Sequence, residues 1–116
     1  MTIQNLDYKF REEYTKGELS KSDIQQNPFI QFENWFKEIS AVKEHAPNAV
    51  TLSTVSKEGR PSSRVVLLKH FDKEGAVFYT DYNSRKAQQI LANPYVSMNL
   101  LCIELEREIR IEGRAI

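Results

Sequence analysis

The feature that most constrains the fold is a run of three apolar-rich segments, residues 49–56, 62–71 and 76–80, joined by two short turns. The turns, "KEGRP" and "DKEG", contain the glycine and charged residues that are typical of hairpin connections. Antiparallel strands can be joined by so few residues, whereas parallel strands need a crossover of a dozen or more. The sequence therefore predicts three antiparallel strands in a meander.

Two helices and two further strands complete the predicted fold. Residues 27–45 form the clearest helix, which begins at the N-cap Asn27. Its apolar stripe recurs at three- and four-residue spacing and consists of Phe29, Phe32, Phe36 and Ile39. Residues 85–91 read as a short helix, and residues 95–103 and 107–116 read as strands. We predict a mainly β fold with α: antiparallel strands, one long N-terminal helix and one short helix, curling into most of a small barrel.

The last predicted strand raises the question of what covers it. It runs to the end of the sequence at "GRAI", and an edge strand exposes unpaired backbone groups. We therefore expect either that a second chain covers it or that the chain is a fragment of something longer. Residues 1–26 are polar and read as an N-terminal arm with a possible short helix in "FREEYTKGEL", whereas residues 27–116 read as the folded domain.

Composition argues against several classes of function. Lys and Arg number 16 and Asp and Glu number 16, and a net charge of zero disfavours general nucleic-acid binding, which needs a basic surplus. No apolar run is long enough for a signal sequence or a membrane span, so we expect a cytoplasmic protein without membrane contact. The single cysteine, Cys102, lies in an apolar run and is expected to be buried and inert. Neither His45 nor His70 has a neighbour at metal-ligand spacing, so no metal site is predicted.

The stretch "RVVLLK", residues 64–69, places a cation at each end of four branched apolar residues that read as a buried strand. Because side chains alternate between faces along a strand, we expect Arg64 and Lys69 to point to opposite sides and to do different jobs. One predicted face consists of Arg64, Val66, Leu68 and His70, and the other consists of Val65, Leu67 and Lys69. The alternative for each cation is that it reaches water from the end of the strand.

The start of the short helix predicts an anion site. Ser84 is a natural N-cap, and Arg85 and Lys86 fall in the first turn. Cations there oppose the helix dipole by roughly 0.3–1 kcal/mol each, but together with free backbone N–H groups they suit a phosphate. The alternative is that both side chains extend into solvent. Tyr79 and Thr80, which precede this turn, would place an aromatic ring near a planar ligand and a hydroxyl beside the anion.

No residue is predicted to carry acid–base or nucleophilic chemistry. The sequence has no glycine-rich phosphate loop, no nucleophile with a paired base and no close carboxylate pair with a clear role. A pocket of cations and hydroxyls without an evident catalytic residue indicates a cofactor that carries out the reaction itself.

Four segments together make the chain recognisable: "REEYTKGEL", "RVVLLKHFDKEGAVFYT", "NSRKAQQI" followed by "NP", and "LEREIRIEG". In this order and spacing they resemble the pyridoxine/pyridoxamine 5′-phosphate oxidase family over nearly the whole chain. The resemblance implies a split β-barrel and a homodimer with FMN bound at the subunit interface. It also implies oxidation of pyridoxine or pyridoxamine 5′-phosphate to pyridoxal 5′-phosphate, with O2 as acceptor and H2O2 as product.

The resemblance further implies which residues bind the two ligands. The positions implied to bind FMN are Arg64, Val65, Val66, Leu67, Leu68, Lys69, Tyr79, Thr80, Ser84, Arg85, Lys86 and Glu108. Lys69 would also reach the substrate phosphate, and Arg11 and Tyr14 would close over the substrate from the arm. At Glu108 the family usually has a glutamine that contacts the flavin from the partner subunit. A carboxylate cannot donate that hydrogen bond, and its charge would disfavour an anionic reduced flavin.

Family chains continue well beyond residue 116 and supply further barrel strands and substrate ligands. The resemblance therefore implies a barrel that is incomplete and a chain that is truncated relative to the family. Three hypotheses stay open from the sequence. The chain is an FMN-dependent oxidase of B6 phosphates represented by its N-terminal portion, a non-catalytic split-barrel module that binds FMN, or an inactive fragment that binds nothing.

Overall fold

The computed structural model of the chain describes residues 19–116. The short helix expected in "FREEYTKGEL" lies almost entirely outside the described residues. Two α-helices and five strands follow in the order α1 (Pro28–Val42), β1 (Ala49–Val55), β2 (Pro61–Asp72), β3 (Gly75–Phe78), α2 (Arg85–Ala92), β4 (Tyr95–Cys102) and β5 (Arg107–Arg114). Single 3-10 turns occupy Lys21–Asp23 and Ile103–Leu105.

The five strands form one antiparallel sheet with the order β3-β2-β1-β4-β5. The predicted meander of the first three strands is confirmed. Its turns contain Gly59 and Gly75 at positive φ, a conformation that glycine adopts without steric penalty. The chain then passes through α2 and adds β4 beside β1, so that the sheet curls into a half-barrel. The predicted mainly β fold with an incomplete split barrel is therefore confirmed.

Helix α1 begins as the sequence predicts and ends earlier than expected. The Asn27 side chain accepts a hydrogen bond from the Phe29 amide at 2.9 Å, and Pro28 occupies the first helical position. The helix stops at Val42 rather than at residue 45, because Lys43 is already extended with φ −85° and ψ 121°. From there the Lys43 Nζ donates to the Leu101 carbonyl at 2.9 Å and ties the end of α1 to β4.

One face of the sheet, here called the inner face, packs against α1 and carries the hydrophobic core. Ile39 of α1 and Leu52 of β1 are fully buried at its centre. The other buried members of this core are Phe32, Val50, Val66, Leu68, Met98, Leu100 and Cys102. The predicted burial of the cysteine is thus confirmed, and this burial is the main cause that raises the pKa of its thiol.

The opposite face, here called the outer face, is left open by residues 19–116. Val65 is 67% exposed and Leu67 is 43% exposed, although their neighbours Val66 and Leu68 are buried. The expectation of a buried strand at "RVVLLK" therefore holds for one face only. The physical reason is that α1 covers the inner face and no described element of the chain covers the outer face opposite it.

A β-bulge changes the face of the last residues of β2. The register shifts between Leu68 and His70, and beyond the shift Phe71 packs against the core, with its ring centroid 4.2 Å from that of Phe32. His70 instead is exposed and lies 2.9 Å from the Asp72 carboxylate. The prediction that His70 shares the face of Arg64 is wrong, because a bulge inserts one extra residue and reverses the alternation.

Two further features bear on the class of protein. Strand β5 lies at one edge of the sheet, as predicted, and β3 lies at the other. Between residues 19 and 116, no helix combines the length and the apolar character that crossing a membrane requires. The same residues contain no group of three His, Cys, Asp or Glu side chains arranged to hold a metal ion.

Candidate functional site

The start of α2 is built by a short turn that aligns its capping groups. The Asp81 carbonyl accepts from the Ser84 amide at 3.0 Å, and the Asp81 carboxylate accepts from the Asn83 amide at 2.9 Å. Ser84 caps the helix by accepting from the Ala87 amide at 3.2 Å, as the sequence predicts. The Thr80 and Ser84 hydroxyls lie 3.2 Å apart, which places two hydroxyl groups at this helix end.

Arg85 and Lys86 occupy the first turn of α2, immediately after the cap. Their backbone amides precede that of Ala87, and amides at these positions have no carbonyl partner within a helix. Arg85 is exposed and Lys86 is half-buried. This end of the helix therefore combines the positive end of the helix dipole with two cationic side chains.

Arg64 approaches the same helix from β2. Its guanidinium donates to the Leu52 carbonyl at 3.1 Å and to the Thr54 hydroxyl at 2.7 Å. It also donates to the Ser62 hydroxyl at 3.0 Å and lies 3.5 Å from the Gln89 side-chain carbonyl on α2. These contacts put Arg64 on the inner side of the sheet, opposite to Lys69, as strand alternation predicts.

Among residues 19–116, the charge of Arg64 has no carboxylate counter-ion. All four of its contacts are to neutral oxygens, and no carboxylate within residues 19–116 forms an ion pair with it. Burial lowers the pKa of Arg64, and the positive charge of Arg85 lowers that pKa further. The structure therefore brings Arg64 and Arg85 together. We call these two residues and Lys86, which follows Arg85 in the first turn of α2, the cationic corner.

The outer face of β2 presents the second set of predicted residues. Lys69 lies over the ring of Tyr79, with 5.8 Å between its Nζ and the ring centroid. Tyr79 is 75% exposed and, like Thr80, follows the end of β3 rather than lying within the strand as predicted. Together with the exposed Val65 and Leu67, these residues give an apolar surface with a cation and an aromatic ring at one end.

The remaining predicted cofactor residues lie apart from these two groups. Val66 and Leu68 point into the core, so any contact they make at the outer face is through the main chain. Glu108 is exposed on β5, 3.7 Å from Arg110, and β1 and β4 separate its strand from β2. Within one chain the structure therefore does not bring Glu108 to the others. Arg11 and Tyr14 lie outside the described residues.

An open cleft of about 510 Å³ lies between the β1–β2 turn and α2. Its lining consists of Ser56, Lys57, Glu58, Asn83, Arg85, Gln88, Gln89 and Ala92. Of the residues predicted from the sequence, only Arg85 reaches this cleft. It is therefore a neighbour of the cationic corner, separate from the outer face of β2.

Sequence reasoning missed three polar residues that support Arg64. Thr54 is fully buried, Gln89 is 7% exposed and Ser62 is half-buried. The Gln89 side-chain carbonyl accepts from both hydroxyls, at 2.9 Å for Ser62 and in a short contact for Thr54. One signal was available, because Thr54 continues the alternation of Val50 and Leu52 and a buried hydroxyl needs a partner.

Comparison with curated proteins finds close relatives over most of the chain. A pyridoxine/pyridoxamine 5′-phosphate oxidase of Crocosphaera subtropica is 50% identical over 105 residues, which cover 90% of this chain and 49% of that protein. A protein of the same name from Paraburkholderia phytofirmans is 47% identical over 108 residues, covering 93% of this chain and 51% of the relative. The chain thus spans about half the length of the curated relatives it matches.

Comparison with solved structures supports the fold. PhzG from Burkholderia lata, solved in complex with tetrahydrophenazine-1-carboxylic acid, matches with a TM-score of 0.76 and 28% identity, over 82% of this chain and 47% of that chain. A pyridoxamine 5′-phosphate oxidase-related, FMN-binding protein from Nostoc punctiforme matches with a TM-score of 0.66 and 22% identity, over 78% and 47% of the two chains. The family model described as pyridoxamine 5′-phosphate oxidase matches residues 36–116, and the chain therefore belongs to the pyridoxamine 5′-phosphate oxidase family.

Proposed function

We propose that the chain binds FMN and takes part in the oxidation of pyridoxine or pyridoxamine 5′-phosphate to pyridoxal 5′-phosphate. The observation that carries the proposal is the cationic corner. Arg64 and Arg85 lie close enough for their charges to interact, and Arg64 has no carboxylate partner within residues 19–116. Like charges held together in this way favour a bound anion, and a phosphate group has the charge and the acceptors to satisfy them.

The donor set fits the phosphate group of FMN. Two guanidinium groups, one ammonium group, the hydroxyls of Thr80 and Ser84 and the first amides of α2 are all donors, as a phosphate dianion requires. The proposed ring contacts are on the outer face of β2, where Val65 and Leu67 are exposed and apolar. In this assignment Arg64, Arg85 and Lys86 bind the phosphate, and residues 65–69 follow the flavin ring.

The substrate contacts of the proposal come from Lys69 and from the arm. Lys69 is exposed at the end of the same surface and would hold the substrate phosphate as a point charge. Arg11 and Tyr14 are proposed to close over the substrate. When bound, FMN would supply the two-electron redox chemistry, with O2 as final acceptor and H2O2 as product. The part played by the chain itself is to bind and orient the two ligands.

The proposal includes a second copy of the chain. The outer face exposes Val65, Leu67 and Leu101, and β5 lies at an open edge. A homodimer that covers this face would shield the apolar side chains and bring Glu108 of one copy towards the flavin of the other. A Leu67→Glu variant should then sediment as a monomer at concentrations where the wild-type chain is a dimer; a wild-type monomer would contradict this part.

A single preparation tests the function. The purified chain is titrated with FMN by following the quenching of flavin fluorescence, and pyridoxamine 5′-phosphate is then added while H2O2 and pyridoxal 5′-phosphate are measured. We expect saturable binding followed by formation of both products in equal amounts. Absence of FMN binding would contradict the proposal.

A second candidate function is FMN binding without turnover. The observation that favours it is that the residues proposed to bind FMN lie within the described part of the chain, whereas Arg11 and Tyr14, proposed to contact the substrate, lie outside it. In the same experiment, saturable FMN binding without H2O2 would support this candidate over the oxidase.

A further inference from the structure

We infer that Gln89 is a positioning residue that holds Arg64 with a neutral acceptor and so leaves the charge of Arg64 available to a phosphate group. The inference rests on the proposed function, because the phosphate in question is that of FMN. It concerns two residues of the described chain, one on α2 and one on β2. Gln89 lies within the segment "NSRKAQQI", but the sequence analysis assigns it no role.

The geometry makes Gln89 the common acceptor of a buried polar cluster. Its side-chain carbonyl accepts from Ser62 at 2.9 Å, forms the short contact with Thr54 and lies 3.5 Å from the Arg64 guanidinium. Thr54 and Ser62 themselves accept from Arg64, at 2.7 and 3.0 Å. Each of these three neighbours is therefore held both by Gln89 and by another member of the cluster, which fixes the guanidinium relative to α2.

Burial explains why the arrangement is specific. Gln89 is 7% exposed and Thr54 is 0% exposed, so the contact between the Gln89 carbonyl and the Thr54 hydroxyl is shielded from water. No buried side-chain polar atom among the described residues lacks a partner, and removing the Gln89 carbonyl would leave the donors around it under-satisfied. Gln89 therefore links Arg64 to α2, directly and through Thr54 and Ser62, which accept closer hydrogen bonds from the same guanidinium.

The neutrality of the acceptor is the functional part of the inference. A glutamate at position 89 would accept the same hydrogen bonds, but as a carboxylate it would form an ion pair with Arg64. That pair would neutralise one charge of the cationic corner and place a negative charge close to the bound phosphate. An amide accepts the hydrogen bond from the guanidinium without neutralising its charge and without adding a negative charge. Glutamine is therefore suited to positioning an arginine that binds phosphate.

The test compares Gln89→Glu, Gln89→Leu and the control Gln26→Glu, which adds the same charge at an exposed position before α1. We expect Gln89→Glu to raise the Kd for FMN at least about tenfold. The Kd for riboflavin, which has no phosphate, and the melting temperature should stay close to wild type in this variant. Gln89→Leu removes the acceptor and should lower the melting temperature by roughly 5–15 °C. Gln26→Glu should change the FMN Kd by less than about threefold.

Two results would overturn the inference. The first is a Gln89→Glu variant with unchanged FMN affinity, which would mean that the charge of Arg64 is not what the phosphate meets. The second is a Gln89→Glu variant that loses FMN affinity, riboflavin affinity and melting temperature in parallel, as a merely structural role predicts.

Failure of the proposed function is recognised separately, because the wild-type chain would then bind no FMN. The contact between Gln89 and Arg64 is tested without flavin by measuring melting temperatures of Gln89→Leu, Arg64→Met and the double variant. We expect Gln89→Leu to lower the melting temperature less in the Arg64→Met background, by at least about 3 °C. Strictly additive changes would overturn the assignment of Gln89 as the tether of Arg64.

Discussion

Replacing Arg85 and Lys86 by glutamine should make the protein more stable while it weakens FMN binding. Both residues lie in the first turn of α2, where the positive end of the helix dipole disfavours cations by about 0.3–1 kcal/mol each. The charge of Arg85 also acts on Arg64, whose pKa it helps to lower. Because Arg85 is exposed, solvent screens part of these repulsions. We expect the double variant to gain about 0.5–1 kcal/mol in free energy of unfolding.

The expected loss of affinity is larger and has the opposite sign. Hydrogen bonds to charged groups contribute about 1.5–3 kcal/mol each, so two cations that bind the phosphate contribute about 3–6 kcal/mol together. At about 1.4 kcal/mol per tenfold change, the FMN Kd should rise by at least about a hundredfold. Glutamine has nearly the helix propensity of arginine and lysine, so the substitution itself leaves α2 intact.

The assay combines urea denaturation with fluorescence titration of FMN, and its control is a Lys21→Gln, Lys73→Gln variant. These two lysines are exposed and lie in the 3-10 turn before α1 and in the β2–β3 turn, so the control removes the same charge elsewhere. We expect the control to change the FMN Kd less than about threefold. Two results would contradict this prediction. One is a loss of both stability and FMN affinity in the Arg85, Lys86 variant, and the other is an unchanged FMN Kd.

Three further predictions follow from burial and charge. Ile39 is fully buried, so Ile39→Ala should lower the free energy of unfolding by about 2–5 kcal/mol. Ile30 is 46% exposed, so Ile30→Ala should lower it by less than about 1 kcal/mol. Equal losses in urea denaturation would contradict the assignment of Ile39 to the core. Cys102 is fully buried and the pKa of its thiol is raised. At pH 8 this thiol should therefore react with a disulfide reagent at least about a hundredfold more slowly in the folded chain than in urea. Equal rates would show that the thiol is accessible. Glu108→Gln should raise the midpoint potential of bound flavin by tens of millivolts, on the order expected for removal of a nearby negative charge; an unchanged potential in dye equilibration would exclude Glu108 from the flavin environment.

The sequence predicts the fold of this chain well because its strongest signals are local. Short turns at residues 57–61 and 72–75 leave antiparallel pairing as the only option, and the caps Asn27 and Ser84 form as predicted. The prediction of which face a residue lies on fails where the strand pairing is irregular. A single-residue bulge after Leu68 reverses the face of His70, and no periodicity in the sequence announces it.

The sequence predicted the cations of the site but not the side chains that position Arg64. Helix-dipole reasoning singled out Arg85 and Lys86, and strand alternation separated Arg64 from Lys69. Gln89 escaped notice because a glutamine within a short polar helix is typical of a solvent-exposed position. Only the packing of α2 against β1 and β2 buries it against the Thr54 hydroxyl.

The most direct test of the central claim, that the cationic corner binds the phosphate of FMN, is the preference of the wild-type chain for FMN over riboflavin. The two flavins share the ring and differ in the phosphate group, so the ratio of their Kd values isolates the contribution of that group. We predict that FMN binds at least about a hundredfold more tightly and that the Arg85, Lys86 variant loses most of this preference with its riboflavin Kd unchanged. Equal affinity of the wild-type chain for the two flavins would contradict the account.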